Sequence, residues 1–360
     1  MFIVYVTCTG DTVNQNLSAG ADHASIDPSS SRPIWWRLMR VLVTGASGFV
    51  GRALLQRLLA LDGVDAVAGL RRADALAEGE LPCERRVLGD LAVAAVSSES
   101  LQGIDVLVHT AARVHVMDEV ATDPLAAFRA VNVEGMLRLA TAAAEAGVKR
   151  FVLISSVKVN GEETPPGRAF SAADQPCPRD AYGHSKWEAE QALQALCERT
   201  GIQWVIIRPP LIYGPGVRAN FKRLMGSLAH GLPLPLGALD NRRSLVALDN
   251  LLDLLLICLA HPAAANQTFM VSDGDDWSVA ELARYLARSL QRPARLLPVP
   301  RSWLRSGLQL LGRGSVAQRL CGELCVDIEK TRTLLGWQPV HGVAEALSIT
   351  AEDFLGRPGR

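Results

Sequence analysis

The sequence predicts an α/β chain, a doubly wound parallel sheet with a smaller C-terminal α/β lobe. Three observations predict it. Short apolar runs alternate with helical stretches in six successive strand–helix units between residue 41 and about residue 207. The first strand–helix junction carries glycines at G-x-x-G-x-x-G spacing, at Gly45, Gly48 and Gly51. After Arg208 the texture changes to proline-broken loops and short elements, with no internal repeat. The expected division is an N-terminal extension over 1–38, a sheet domain over 39–208, and a ligand lobe over 209–360 interleaved with it.

Residues 1–38 stand outside the pattern. The stretch 14–33 is rich in Ser, Asp, Ala and Asn, without a sustained period, and lacks the basic start, apolar centre and small-residue cleavage site of a signal peptide. Met39-Arg40 directly precedes the first strand, which points to Met39 as the natural start; the alternative is a genuine flexible tail, and an intact mass decides between them.

Val41-Leu42-Val43 reads as a buried strand, and Ala53 to Leu59 has apolar residues at helical spacing. Between them the glycines make a dinucleotide site. Gly45 permits the tight turn, Gly48 lets backbone approach a pyrophosphate, and Gly51 lets helix and strand pack closely. The free N–H groups of the helix start face the anion. A glycine turn without a ligand is the bland alternative.

The second strand is expected over 64–72. It ends in Gly69-Leu70-Arg71-Arg72, with no acid to receive a ribose hydroxyl. An arginine there suits the extra phosphate of NADP(H), with NAD(H) as the alternative; two solvated loop arginines is the bland reading. A third strand is expected over 86–91, ending in an acid: Asp90 either meets an adenine amino group or caps the next helix. The fourth is expected over 104–109, with Thr110-Ala111-Ala112 after it, small enough for a cofactor to lie on the backbone. A continuous helix over 124–146 contains Asn132. The strand 151–154 leads to Ser155-Ser156, and helix 182–199 and strand 204–207 complete the six units. Beyond them come helix 219–230, a proline-punctuated segment 231–237, strand 243–247, helix 249–260, strand 267–272 and helix 278–290.

Composition narrows the field. The 360 residues are 49% hydrophobic, with 37 acidic and 37 basic side chains. This balance argues against a nucleic-acid surface or a polybasic membrane patch. Seven scattered cysteines, with no C-x-x-C pair and no zinc spacing, read as reduced thiols of a cytoplasmic protein rather than a disulfide framework or metal site. The longest apolar run, 251–260, is too short to span a bilayer and contains Asp253, so a buried helix is expected.

Tyr182-Gly183-His184-Ser185-Lys186 has the spacing Y-x-x-x-K at a helix start. Four residues is about one turn, so phenol and ammonium share a face. The ammonium is expected to lower the phenol pKa towards neutrality and make Tyr182 a proton carrier. Ser156 is placed to hydrogen-bond the same substrate oxygen, and Lys186 to hold the nicotinamide ribose. Such a pair is more often an ordinary helix face; here it lies one unit after Ser155-Ser156 and downstream of the glycines. His115, Cys177 and His184 are further candidates for substrate contact, each more simply explained by solvent or packing.

Together these residues resemble the extended short-chain dehydrogenase/reductase superfamily, from about Val41 to Pro339. The motifs are Thr44 to Gly51, Gly89-Asp90-Leu91, His109 to Ala112, Asn132-Val133-Glu134-Gly135, Ser155-Ser156, Tyr182 to Lys186, Arg208-Pro209, Tyr213-Gly214-Pro215-Gly216 and Leu335-Gly336-Trp337-Gln338-Pro339. Within it the chain is similar to the sugar-nucleotide epimerase/dehydratase/reductase group. Arg179 to Glu190 and Gly231 to Asp249 look like bacterial UDP-4-keto-6-deoxy-N-acetylhexosamine reductases of surface polysaccharide synthesis.

The resemblance implies a Rossmann-type domain and a set of roles. Ser156, Tyr182 and Lys186 would be catalytic. Gly45, Ser47, Gly48, Phe49, Val50, Gly51, Arg71, Asp90, Leu91, Ala111, Ala112 and Asn132 would hold the cofactor or its supports. Arg208 would contact the cofactor or brace its site. Asn220 would meet the nucleotide phosphates, Leu236 and Gly237 would frame uracil and ribose, and Arg242 would bind the diphosphate; sequence does not decide whether Arg242 or Arg243 points inward. Family analogy also suggests a homodimer. The epimerase pattern departs at Val159-Asn160-Gly161, where tyrosine is usual before the glycine, and at the missing acid after strand two. No threonine–acid–glutamate set stands beside Ser156, as a dehydratase needs. The expected reaction is reduction of a UDP-linked 4-ketone; a UDP-sugar 4-epimerase is the second reading, and a non-catalytic dinucleotide-binding regulator the third.

Overall fold

Val41, Leu42 and Val43 lie at the centre of β1 (Met39–Thr44) and are fully buried, as a parallel strand covered on both faces requires. The computed structural model describes residues 39–76, 81–114 and 123–356; the extension 1–38 and His115 lie outside them. From β1 the chain runs through α1 (Phe49–Leu59), β2 (Val64–Leu70), β3 (Glu84–Val87), β4 (Val106–His109), α2 (Pro124–Arg129), α3 (Met136–Glu145), β5 (Arg150–Ile154), α4 (Ala181–Thr200) and β6 (Gln203–Arg208). It continues through β7 (Leu211–Tyr213), α5 (Ala219–Ala229), β8 (Arg242–Arg243), β9 (Leu245–Ala247), α6 (Leu248–Ala260), β10 (Gln267–Met270), β11 (Trp277–Ser278) and α7 (Val279–Ser289). The last helices are α8 (Arg301–Leu310), α9 (Gly314–Cys321), α10 (Glu329–Leu335) and α11 (Val343–Gly356).

Seven parallel strands form the main sheet in the order β10-β6-β5-β4-β1-β2-β3. The order reverses at β1, which pairs with β2 on one side and β4 on the other, with Thr44 opposite both Gly69 and His109. A crevice opens at the carboxyl ends of the strands at such a reversal, and ligands bind there. Apolar side chains fill both sheet faces. Leu54, Leu55 and Leu58 of α1 and Leu251 and Leu255 of α6 cover one. Leu139 and Ala143 of α3 and Leu193 of α4 cover the other. The run 251–260 is the buried helix expected of it, and its Asp253 accepts the Trp337 indole N–H at 3.0 Å.

Strands β2 and β4 are each two residues shorter than expected, ending at Leu70 and starting at Val106, and four further elements depart from the sequence reading. The third strand ends at Val87, so Gly89 and Asp90 lie in the turn beyond it. The helix expected over 124–146 is broken by a π-helical turn, Ala130–Gly135, between α2 and α3. The strand expected over 243–247 is two: β8 pairs with β11 and β9 with β7. The strand expected over 267–272 stops at Met270 and joins the main sheet beside β6.

Candidate active site

α1 starts where the crevice is. Gly45 has φ +70°, and a Cβ there would sit 2.7 Å from the Ala111 nitrogen and the Thr110 hydroxyl. A Cβ on Gly51 would come within 2.3 Å of the Gly45 carbonyl oxygen. Glycine is therefore dictated by the packing of β1, α1 and the end of β4. The first helical turn has no side-chain cap and no acid, and Ser47 and Gly48 are exposed at its mouth. Uncapped N–H groups, an exposed glycine and the helix dipole together suit a pyrophosphate. Phe49 and Val50 are half-buried in that turn, and Ala111 and Ala112 are half-buried opposite it. These residues fit a dinucleotide. A groove of about 660 Å³ beside the loop is lined by Ser47, Gly48, Phe49, Gly216, Arg218 and Lys222. Another groove, of about 520 Å³ and lined by Val64, Asp65, Cys83 and Glu84, lies at the opposite ends of β2 and β3 and holds none of these groups.

Asn132 supports the crevice wall. It is buried in the π turn, accepts the Arg113 N–H at 2.8 Å, and donates to the Arg113 carbonyl and the Ser185 hydroxyl at 3.1 and 3.0 Å. It ties the loop after β4 to α4. Gly135 ends the same turn, where a Cβ would sit 2.5 Å from the Leu91 carbonyl oxygen, so Leu91 is held against the helix by backbone. Interrupted helices of this kind occur often at functional sites.

The catalytic candidates meet at the carboxyl end of β5. Asp180 caps α4 by accepting the Gly183 N–H at 2.7 Å, worth about 1 kcal/mol. This cap fixes where Tyr182 and Lys186 emerge. Ser156 lies near enough to the Tyr182 hydroxyl to favour its ionised form, and the Tyr182 ring packs edge-on to Phe128 at 5.9 Å. Lys186 is buried and donates to the Ile154 carbonyl at 2.6 Å, two residues before Ser156. Ser156, Tyr182 and Lys186 therefore stand together.

Their electrostatics correct one expectation. Burial, and then the Asp180 carboxylate, push the Tyr182 phenol up to about 12, with Ser156 working the other way. The expected fall towards neutrality is absent because burial, which disfavours the phenolate, outweighs what lowers the phenol. Burial pulls Lys186 down to about 8, opposed by Glu190. Burial also tends to raise Asp180, but the Lys158 ammonium and the Gly183 N–H outweigh it and hold the carboxylate ionised. His109, at the end of β4, is pulled down to about 3 by burial and by Lys186. It is neutral, with Nδ1 2.8 Å from the Thr44 hydroxyl.

Beneath the site lies a polar network around Arg208, whose partners Glu190 and Asn160 sequence reasoning missed. Arg208 is buried and donates to both Glu190 oxygens, at 2.6 Å from Nη2, and to Asn160 Oδ1 at 3.0 Å. Ser155 donates to Glu190 as well. Arg208 thus braces β6 against α4 and commits its donors to protein. Glu190 sits four residues after Lys186, one more turn along the same helix face, which is the only signal the sequence carries of it.

The remaining candidates scatter. Arg71 is exposed, with Nη1 3.9 Å from Asp90 Oδ2 across the ends of β2 and β3, while Arg72 pairs with Asp74. Asp90 also accepts the Ala92 N–H at 3.0 Å. Asn220 is exposed in the first turn of α5, directly after Ala219, whose φ of +53° is strained for a non-glycine residue. Leu236 is buried in an apolar cluster with Leu239 and Val279, so its side chain packs rather than frames a ligand. Gly237 is pressed against the Leu296 and Leu297 backbone. Arg242 turns outward, donating to Glu281 at 2.9 Å and to the Asp276 carbonyl. Arg243 is the inward arginine, half-buried with a bond to the Gly322 carbonyl, and burial lowers its pKa. Alternation along β8 puts the two on opposite sides, and the pairing with β11 decides which is which. Cys177 is exposed and His184 half-buried.

Residues 41–272 match the NAD dependent epimerase/dehydratase family. The chain belongs to that family. It is 43% identical over 316 residues to a UDP-glucose 4-epimerase of Vibrio cholerae, covering 88% of this chain and 95% of the relative. It is 30% identical to the N-acetyl-alpha-D-glucosaminyl-diphospho-ditrans,octacis-undecaprenol 4-epimerase of Escherichia coli O157:H7, covering 72% and 76%. Among solved structures, a dTDP-glucose 4,6-dehydratase from Streptomyces venezuelae superposes with a TM-score of 0.72 at 25% identity, over 89% of this chain and 98% of that one. That structure has NAD bound. The family and the crevice together make this chain a pyridine-nucleotide-dependent enzyme of the epimerase/dehydratase type.

Proposed function

We propose that this chain acts at C4 of a UDP-linked hexose, and that its net reaction is reduction of a UDP-4-keto-6-deoxy-N-acetylhexosamine. The observation that carries the reductive reading is the end of β2. Arg71 stands there, exposed and loosely paired, where an acid would receive the ribose of NAD. A guanidinium favours the phosphate of NADP(H), the form suited to net reduction. The cofactor, when bound, supplies or accepts a hydride at its nicotinamide. The chain's own residues do the rest. Tyr182, held protonated, donates to the oxygen at C4; Ser156 aligns that oxygen; Lys186 binds the ribose beside them. Arg243, rather than Arg242, meets the diphosphate, with Asn220 at the mouth of the same lobe. The chain works in the cytoplasm, and a homodimer is part of this reading.

A second reading is favoured by the 43% identity to a UDP-glucose 4-epimerase over 95% of its length. The same residues would then take hydride from C4 and return it to the other face, without net cofactor use. Mixing the purified protein with UDP-4-keto-6-deoxy-N-acetylglucosamine and NADPH separates the two. Stoichiometric loss of NADPH absorbance is expected. Retained NAD with interconversion of UDP-hexoses and no NADPH loss overturns the reductase.

A further inference from the structure

The whole-chain charge balance hides a segregation. Between Gln291 and Gly322 stand six arginines, at 292, 295, 301, 305, 313 and 319, and no Lys, Asp or Glu. This stretch folds as the α8–α9 hairpin and the segment leading into it. Arg292, Arg295, Arg305 and Arg313 are exposed. The same hairpin carries large apolar side chains in solvent: Trp303 is 73% exposed, Leu310 89% and Leu311 75%. Trp303 and Leu310 are seven residues apart, two turns of α8, so they project from one face. α8 seats Leu304, about 100° round the helix from Trp303, against the cluster of Leu236, Leu239 and Val279. The outward apolar residues are therefore surplus to the core. A helix with tryptophan and leucine on one face, arginines on the opposite face and further arginines in the flanking segments matches the surface of an anionic bilayer. The apolar side chains enter the acyl boundary and the guanidiniums meet headgroup phosphates.

We propose that the α8–α9 hairpin is a peripheral docking element for an anionic lipid bilayer. It would lie in the interface plane; no helix among the described residues is long and apolar enough to cross a membrane. The docking face adjoins the ligand lobe, since the Leu297 carbonyl accepts the Gly237 N–H at 2.9 Å and the Leu297 N–H donates to the Leu234 carbonyl at 2.8 Å. Docking would hold that lobe at the membrane surface. The expectation of no polybasic patch rests on the total charge, which averages over this segment.

Co-sedimentation of the full chain with vesicles tests this, and turnover plays no part in it. Vesicles of phosphatidylcholine with phosphatidylglycerol should pellet the protein, and phosphatidylcholine alone should not. Arg305→Gln with Arg313→Gln should weaken binding about 25-fold, since each arginine near such a surface contributes about fivefold. Trp303→Ser with Leu310→Ser should weaken it at least about tenfold. All four changes lie on exposed side chains, and an unchanged thermal midpoint confirms the fold. Trp303→Phe should still bind while losing the blue shift of tryptophan fluorescence on vesicle addition. No pelleting with anionic vesicles overturns the proposal, as does equal pelleting with neutral ones. A dimer in sedimentation equilibrium that Trp303→Ser with Leu310→Ser dissociates also overturns it, because a second copy then covers the face.

Discussion

Two ends of one sheet edge differ in how they are held. At the carboxyl ends of β4, β5 and β6, His109, Lys186, Glu190 and Arg208 are all buried, and each has a bond within the protein. At the ends of β2 and β3, Arg71 and Asp90 are both exposed and stand 3.9 Å apart. The first region is set by the interior, where a misplaced polar group costs several kcal/mol. The second is set by solvent, where an ion pair contributes about 0–1 kcal/mol. On the proposed reading, chemistry sits where geometry is hard to change, and cofactor choice sits where it is easy. A fold arranged this way can keep its proton carrier while changing its cofactor.

Breaking the buried end should be damaging in two distinguishable ways. Tyr182→Phe keeps the ring against Phe128 and removes only the hydroxyl that carries the proton. It should lower kcat about a thousandfold, with cofactor affinity unchanged by fluorescence titration; near-normal turnover would remove Tyr182 from the role. Glu190→Gln strands the Arg208 charge in the interior. It should cost about 3–5 kcal/mol in urea unfolding. A cost below about 1 kcal/mol would mean that water or Asn160 compensates, and that the network braces less than its burial implies.

His109 gives the same contrast a pH signature. Its folded-state pKa is about 3, below the ordinary 6.5 of the unfolded chain. The unfolded chain thus binds the proton first as acid is added. Its contribution is fully present above about pH 6.5 and is lost as pH falls towards 3. Between about pH 6.5 and 4.5 the loss should reach roughly 3 kcal/mol, at about 1.4 kcal/mol per unit. In His109→Gln, which keeps a polar partner for Thr44, the acid limb of the stability curve should flatten by that amount. An identical limb would place the acid sensitivity elsewhere.

The sheet is legible in the sequence because buried parallel strands are apolar runs, and because Gly45 and Gly51 have no tolerated alternative at that packing. Tyr182, Lys186 and Ser156 are legible by spacing and order. Glu190 and Asn160 are not, since their partners lie 18 and 48 residues away at Arg208 and follow no period. The third strand reads late because apolar Val87 and Leu88 draw the assignment past an edge strand that is mostly charged, Glu84-Arg85-Arg86. The resemblance implies Arg242, but the sequence does not decide between Arg242 and Arg243, because a strand's alternation gives two faces without saying which faces in; β11 and the Leu324 bridge settle that from outside β8. The Tyr182 pKa escapes sequence because helical spacing puts an ammonium near the phenol but cannot show the burial that outweighs it.

The exposed end should yield to a single substitution. Arg71→Asp replaces a guanidinium with the acid that a ribose hydroxyl prefers, on a solvated turn after β2. A charge-assisted hydrogen bond to phosphate is worth about 1.5–3 kcal/mol. The ratio of kcat/KM for NADPH over NADH should therefore fall about 10- to 100-fold. Stability should move within about 0.5 kcal/mol, because Arg71 and Asp90 are solvated in either form. Thermal unfolding beside the two cofactor titrations checks both halves. Should Arg71→Asp leave the ratio unchanged, the phosphate is held elsewhere or not at all, and the epimerase reading gains what the reductase loses. Should it instead unfold the chain, the ends of β2 and β3 are held as tightly as those of β4 to β6, and the contrast between the two regions fails.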